Sequence, residues 1–169
     1  KVVTFNMAWI DRPIDNVTSF LLSEAPDLIL LQEVTPRHAA ALRARLHNAY
    51  PHIHACTLAR ACSLMVLSRQ PWKEAGEEHR ANDTPEIIWV RFDDARFGAL
   101  HISGVHTAWP FRPQAQAEQI GTLVARAKSL QTPAIFAGDF NLTPWSYQMQ
   151  RFQLATGMRR HAMFLRSWP

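Results

Sequence analysis

Residues 27–34, DLILLQEV, set four apolar side chains in succession and then stop on glutamine and glutamate. A strand with one wet face alternates apolar and polar residues. An unbroken run signals burial on both faces, so this chain must provide a covering layer on either side of it. PAIFAGDF, residues 133–140, repeats the pattern and delivers Asp139 at its end. Two such strands exclude a simple meander with one solvated face and require helices or a second sheet as cover.

The rest of the chain offers that cover. KVVTFNM opens as a strand, and PIDNVTSFLLSEA follows as a helix with Ile14, Val17, Phe20 and Leu21 on one face, stopped by Pro26. Thr35 and Pro36 form an N-cap and first helical position for a helix running to about His47. HIHACTL, CSLMVLS, EIIWVRFD and FGALHISGVH then succeed one another with short turns, the signature of an antiparallel set. PQAQAEQIGTLVARAKSL restores a helix with Ile120, Leu123, Val124 and Ala127 as its stripe. After PAIFAGDF, expected to be buried, Thr143 and Pro144 repeat the cap signal for a helix to about Thr156, with Gly157 ending it. Mixed strands with helices at intervals predict an α/β chain of two packed sheets with helices outside, an α/β/β/α sandwich. With no internal repeat, linker or low-complexity segment, residues 1–169 read as a single domain.

Composition narrows the functional classes. At 47% hydrophobic and 19% charged, the chain can bury a substantial core and is neither disordered nor fibrous. No apolar run approaches the ~18 residues of a membrane span. The first residues carry neither a signal peptide nor a methionine, so the chain looks trimmed there. Eighteen Lys and Arg against 14 Asp and Glu lean toward anionic partners such as phosphates or nucleic acid. RARLH at 43–47 and MRRH at 158–161 read as solvated faces, and a monomer is expected. Cys56 and Cys62 either bridge a hairpin whose turn lies near residues 58–60 or stand as two buried thiols; a bridge would imply an oxidising compartment.

Four strands end on groups that do chemistry: Asn6 after VVTF, Glu33 after LILLQ, His106 after HISGV, and Asp139 with Asn141 after AIFAG. Singly, each has an ordinary reading as a turn former, a helix-proximal charge, a core histidine or a loop residue. Their recurrence at the ends of apolar strands argues for one shared cleft, because ligand sites in open sheets form just outside such ends.

TFNMAW, LQEV, GVHTAWPFR and GDFN, in that order on those strands, resemble the endonuclease/exonuclease/phosphatase superfamily, the DNase I-like fold. The resemblance covers essentially the whole chain and implies a four-layer α/β/β/α sandwich of two mixed sheets. It also implies cleavage of phosphodiester or phosphomonoester bonds with a divalent metal, usually Mg²⁺ with Mn²⁺ as a substitute. HTAWPFRP and NLTPWS are most similar to bacterial members often tethered by N-terminal membrane spans. In such a site Glu33 is the expected metal ligand, with Asn6 supporting the metal or a phosphate oxygen. Asp139 would orient and deprotonate the attacking water. Asn141, facing the same side if the segment is extended, would contact phosphate while Phe140 turns into packing. His106 would donate to a non-bridging oxygen. Thr107 and Arg112 are candidate phosphate contacts. Trp109 and Trp145 are candidate stacking surfaces for a base, sugar or lipid headgroup, whereas Trp9, Trp72 and Trp89 are assigned to the core.

The family pattern also includes a later aspartate and a terminal Asp-His pair, commonly SDH. The present chain stops at LRSWP and contains no Asp-His dipeptide. The expectation is therefore a domain lacking its C-terminal strands and Asp-His motif, without full activity in this polypeptide alone. A nuclease is the leading reading. A lipid or sugar-phosphate phosphodiesterase or phosphatase is the alternative, and a non-catalytic metal- or phosphate-binding fragment is a third.

Overall fold

In the computed structural model, residues 1–9, 13–58, 61–81, 84–96 and 98–161 are described. Their order is β1 (Val2–Asn6), α1 (Asp15–Glu24), β2 (Leu28–Gln32), α2 (Pro36–Leu46), β3 (His52–Leu58), β4 (Cys62–Ser68), β5 (Glu74–Glu78) and β6 (Glu86–Asp94). β7 (Gly98–His106), α3 (Pro113–Ser129), β8 (Ala134–Asp139) and α4 (Tyr147–Thr156) complete it. The strands make two four-stranded mixed sheets, ordered β1-β2-β4-β3 and β5-β6-β7-β8. Each sheet has one parallel pair, β1 with β2 and β7 with β8, and is otherwise antiparallel.

Alternation along β2 explains its unbroken apolar sequence. Ile29 and Leu31 point outward and pack with Leu21, Leu42, Leu46 and Tyr50 beneath α1 and α2. Leu28 and Leu30 point inward, against Val66, Ile88, Val90 and Ile102 between the sheets. A third cluster, Ile87, Val105, Ile120, Leu123 and Phe152, seals the other sheet under α3 and α4. Truncating a fully buried member such as Leu30 to alanine would cost about 2–5 kcal/mol. The expected four-layer sandwich is the architecture found.

Local signals held where the cap chemistry was complete. Thr35 accepts from the His38 N–H at 3.1 Å, with Pro36 opening α2 and His47 closing it. Gly157, at φ 71°, ends α4. The start of α4 differs from expectation: Ser146, not Thr143, is the N-cap, because residues 143–146 close a turn of their own through Ser146 N–H to the Thr143 carbonyl at 3.1 Å. On α1 the buried positions are Thr18 and Leu21, and Phe20 is exposed. β8 is only partly buried, because it is the edge of its sheet and no described strand flanks its outer side. β5, EAGEE, was not anticipated, having little apolar content; its pairing with β6 creates it. Cys56 and Cys62 are bridged, with Cα atoms 5.6 Å apart on the β3–β4 hairpin. Residues 59 and 60 of its turn and the terminal LRSWP lie outside the described residues. No helix among those described is long and apolar enough to cross a membrane.

Candidate active site

Both parallel pairs finish at the same end of the sandwich, in register Asn6 with Gln32 and His106 with Asp139. The antiparallel strands β4 and β6 begin there, bringing Ser63 beside Val34 and Glu86 opposite His106. Topology alone therefore gathers six polar side chains that are far apart in sequence.

Asn6 joins the two carboxylates. Its Nδ2 donates to Glu33 Oε1 at 3.1 Å and to Asp139 Oδ2 at 2.8 Å. The Asn6 Oδ1 accepts from the Ala8 N–H at 2.7 Å, which fixes which end of the amide faces the carboxylates. A strained backbone surrounds this centre. Ala8, Trp9, Glu33 and Asn141 all have φ between 48° and 61°, where a side chain costs roughly 1–2 kcal/mol. Such strain concentrates at functional sites, where surrounding contacts over-determine the geometry.

His106 is 1% exposed, yet its Nε2 has no hydrogen-bond partner and lies 3.6 Å from Glu33 Oε1. Its Nδ1 faces Arg80 Nη2 at 3.2 Å and Glu86 Oε1 at 3.7 Å. The arginine can only donate and the carboxylate can only accept, so Nδ1 answers Arg80 in one tautomer and Glu86 in the other, while Nε2 is turned toward Glu33. Glu86 is held in turn. Arg80 Nη2 lies 2.7 Å from its Oε1, and the Ser63 N–H and hydroxyl donate to its Oε2 at 2.9 and 2.7 Å. Burial would raise the Glu86 pKa; bonding to His106 and Ser63 and the Arg80 charge more than offset that, so the carboxyl sits below its ordinary value. Glu86, Arg80 and Ser63 were not identified from sequence. The one available signal was a glutamate immediately ahead of IIWV, a charge leading a strand whose next residues are buried.

The Asp139–Asn141 segment is a tight turn rather than an extended strand. The Asn141 N–H donates to Asp139 Oδ1 at 2.8 Å, and Asn141 Nδ2 donates to the Thr107 carbonyl at 2.9 Å. One N–H of the Asn141 amide stays available, and Phe140 packs on Phe152 as expected. Thr107 is fully buried and its hydroxyl donates to the Phe140 carbonyl, which latches the turn. Two buried glutamines of α3, outside its apolar stripe, complete the frame. Gln116 Nε2 donates to the carbonyls of Ala108 and Asn141 at 3.0 and 2.9 Å, and Gln119 Oε1 accepts from the Ala108 N–H at 2.7 Å.

Trp109 is partly exposed and lies against Phe111, whereas Trp145 is 64% exposed. Trp9 is exposed as well, contrary to its assignment to the core; its left-handed backbone, three residues past Asn6, turns it outward. Trp72 and Trp89 are partly buried against the second and third clusters. Arg112 is exposed at the N-terminus of α3 and closes a turn with Trp109.

Glu33 fits a hard cation. It is 5% exposed, receives one amide hydrogen bond, and has no Lys or Arg partner among the described residues. A buried carboxylate with so little compensation is suited to an ion that prefers oxygen ligands. Asn6 fits that ligand set less well, since the face it turns to Glu33 is its NH₂ group; it braces the carboxylates instead.

Sequence and sandwich match a known group. The chain belongs to the endonuclease/exonuclease/phosphatase family, whose model matches residues 3–169. No curated protein matches it significantly by sequence. Among solved structures it is similar to a humanized TDP2 of D. rerio, with 17% identity and a TM-score of 0.73, covering 89% of this chain and 64% of that one. Sphingomyelinase C from Streptomyces griseocarneus shares 15% identity at a TM-score of 0.72, over 94% of this chain and 70% of that one. Beta toxin from Staphylococcus aureus, as a β-hairpin deletion mutant, shares 14% at 0.70, over 95% and 73%. The chain thus spans just under two thirds of TDP2, and these likenesses establish the DNase I-like fold.

Proposed function

We propose that this chain carries the catalytic centre of a metal-dependent phosphodiester hydrolase acting as a nuclease. The observation behind it is the Asn6 amide tying Glu33 to Asp139, beside an unpartnered His106 Nε2. Glu33 would hold Mg²⁺, or Mn²⁺ in its place, and the bound ion would supply Lewis-acid stabilisation of the phosphoryl oxygens. Asp139 orients the attacking water and takes its proton, while Asn6 and the Asn141 N–H fix the carboxylate. His106 donates its Nε2 proton to a non-bridging oxygen, with Arg80 and Glu86 holding the ring. Removing one preorganised donor of this kind typically costs about a hundredfold or more in rate.

Nucleic acid as substrate accords with the net charge of +4 and with a related TDP2 structure complexed with single strand DNA product. Exposed Trp9, Trp109 and Trp145 are suited to stacking on bases. The same aromatic rim supports a second reading, a lipid phosphodiesterase, because sphingomyelinase C is as similar in fold as TDP2. The test is the full-length protein on linear and abasic DNA, RNA, sphingomyelin and phosphoinositides, each with Mg²⁺ and with EDTA. Cleavage of nucleic acid that EDTA abolishes is the expected result. Turnover that persists in chelator would rule out the mechanism, and cleavage of sphingomyelin alone would establish the lipid reading. Metal binding without turnover on any substrate would leave a non-catalytic module.

A further inference from the structure

The inner faces of the two edge strands β3 and β5 carry an unexpected set of groups. Cys56 pairs in register with Leu64 and Glu77 with Ile88, both partners belonging to the apolar layer between the sheets. His54 lies two residues before Cys56 on β3, so alternation returns it to this inner margin, and His79 directly follows the end of β5. Ligand atoms of Cys56, Glu77 and His79 lie within 4.8 Å of one another, the one such trio among the described residues. His54 Nε2 adjoins the same Glu77 carboxylate at 2.6 Å. None of these residues takes part in the proposed chemistry at Glu33 and Asp139.

A sulfur, a carboxylate and two imidazoles are the ligand types of a zinc site. The sulfur is at present committed to Cys62. We infer that reducing the Cys56–Cys62 bridge opens a Zn²⁺ site formed by Cys56, Glu77 and His79, with His54 or water as fourth ligand. The reduction needs a dithiol, which gives two electrons and two protons to the bridge and becomes a disulfide itself. Zn²⁺ then displaces the proton of the Cys56 thiol to solvent, and the Cys62 thiol stays protonated and buried. Tetrahedral bond lengths put neighbouring ligands about 3.5 Å apart, so the exposed Glu77 and His79 side chains need rotate by only about an ångström. The linkage also changes direction. The disulfide joins β3 to β4 within one sheet, whereas the metal would join β3 to β5 across the two.

Co²⁺ serves as a spectroscopic stand-in. The full chain, wild type and with Cys62→Ser or Cys56→Ser, is titrated with Co²⁺ and with Zn²⁺ in competition. Cys62→Ser should bind one equivalent without reductant and show a thiolate-to-cobalt charge-transfer band; wild type should do so only after reduction, and Cys56→Ser not at all. His79→Ala and Glu77→Ala should each weaken binding at least about tenfold. Absence of the band in both reduced wild type and Cys62→Ser overturns the proposal. So does equal affinity of oxidised and reduced wild type, since imidazole and carboxylate alone would then form the site. If Cys62→Ser proves unfolded by circular dichroism, reduced wild type still decides the outcome.

Discussion

Glu86→Gln is the most informative single change, because it removes one charge from a buried network and almost no volume. Glu86 Oε2 accepts two hydrogen bonds from Ser63 while Oε1 faces Arg80. A glutamine offers one carbonyl oxygen and one NH₂ group, so either Ser63 or Arg80 must confront a donor. Breaking a fully buried ion pair costs about 3–5 kcal/mol, but the Arg80 side chain is 31% exposed and water recovers part of its solvation. The mismatched hydrogen bonds set the scale instead, about 1–3 kcal/mol. For a chain of this size each kcal/mol moves Tm by about 2–4 °C, so a fall of roughly 2–12 °C is expected at neutral pH. The pH dependence gives the sharper test. The folded Glu86 pKa is depressed below the ordinary 4.5, so its stabilisation is complete above that value and is lost as pH falls through the folded pKa. Thermal unfolding of both proteins across this range should show the gap closing on acidification. A gap that stays constant into acid, or no gap at neutral pH, would refute the assigned network.

Further outcomes follow from the same geometry. Asp139→Ala should abolish turnover with metal affinity nearly intact, whereas Glu33→Ala should chiefly weaken Mg²⁺ binding; calorimetry giving the opposite order would reverse their roles. At Gly138, φ is 142° and an added Cβ would meet the Val105 carbonyl oxygen at 2.1 Å, so Gly138→Ala should destabilise by at least about 2 kcal/mol and displace Asp139. A wild-type Tm for that variant would contradict the register. Thr107→Val should lower stability by about 1 kcal/mol and leave KM unchanged, since the hydroxyl serves Phe140; a raised KM would restore its role as a substrate contact.

Local sequence determined what short-range chemistry can dictate. DLILLQEV had to be buried on both faces because its apolar run leaves no wet side, and Thr35-Pro36 had to open a helix because cap and fixed φ coincide there. The polar ends Asn6, Glu33, His106 and Asp139 were legible as breaks in apolar strands, and two of their contacts now run through a single amide. Strand pairing decided the rest. Glu86 becomes the neighbour of His106 only when β6 runs antiparallel to β7, and Ser63 joins it only because β4 starts at the same end of the other sheet. EAGEE becomes a strand by borrowing the edge of β6, and Asn141 turns back on Asp139 in a left-handed conformation that no periodicity encodes. Periodicity reports the environment of a single strand, whereas a site built across two sheets depends on register between segments more than a hundred residues apart.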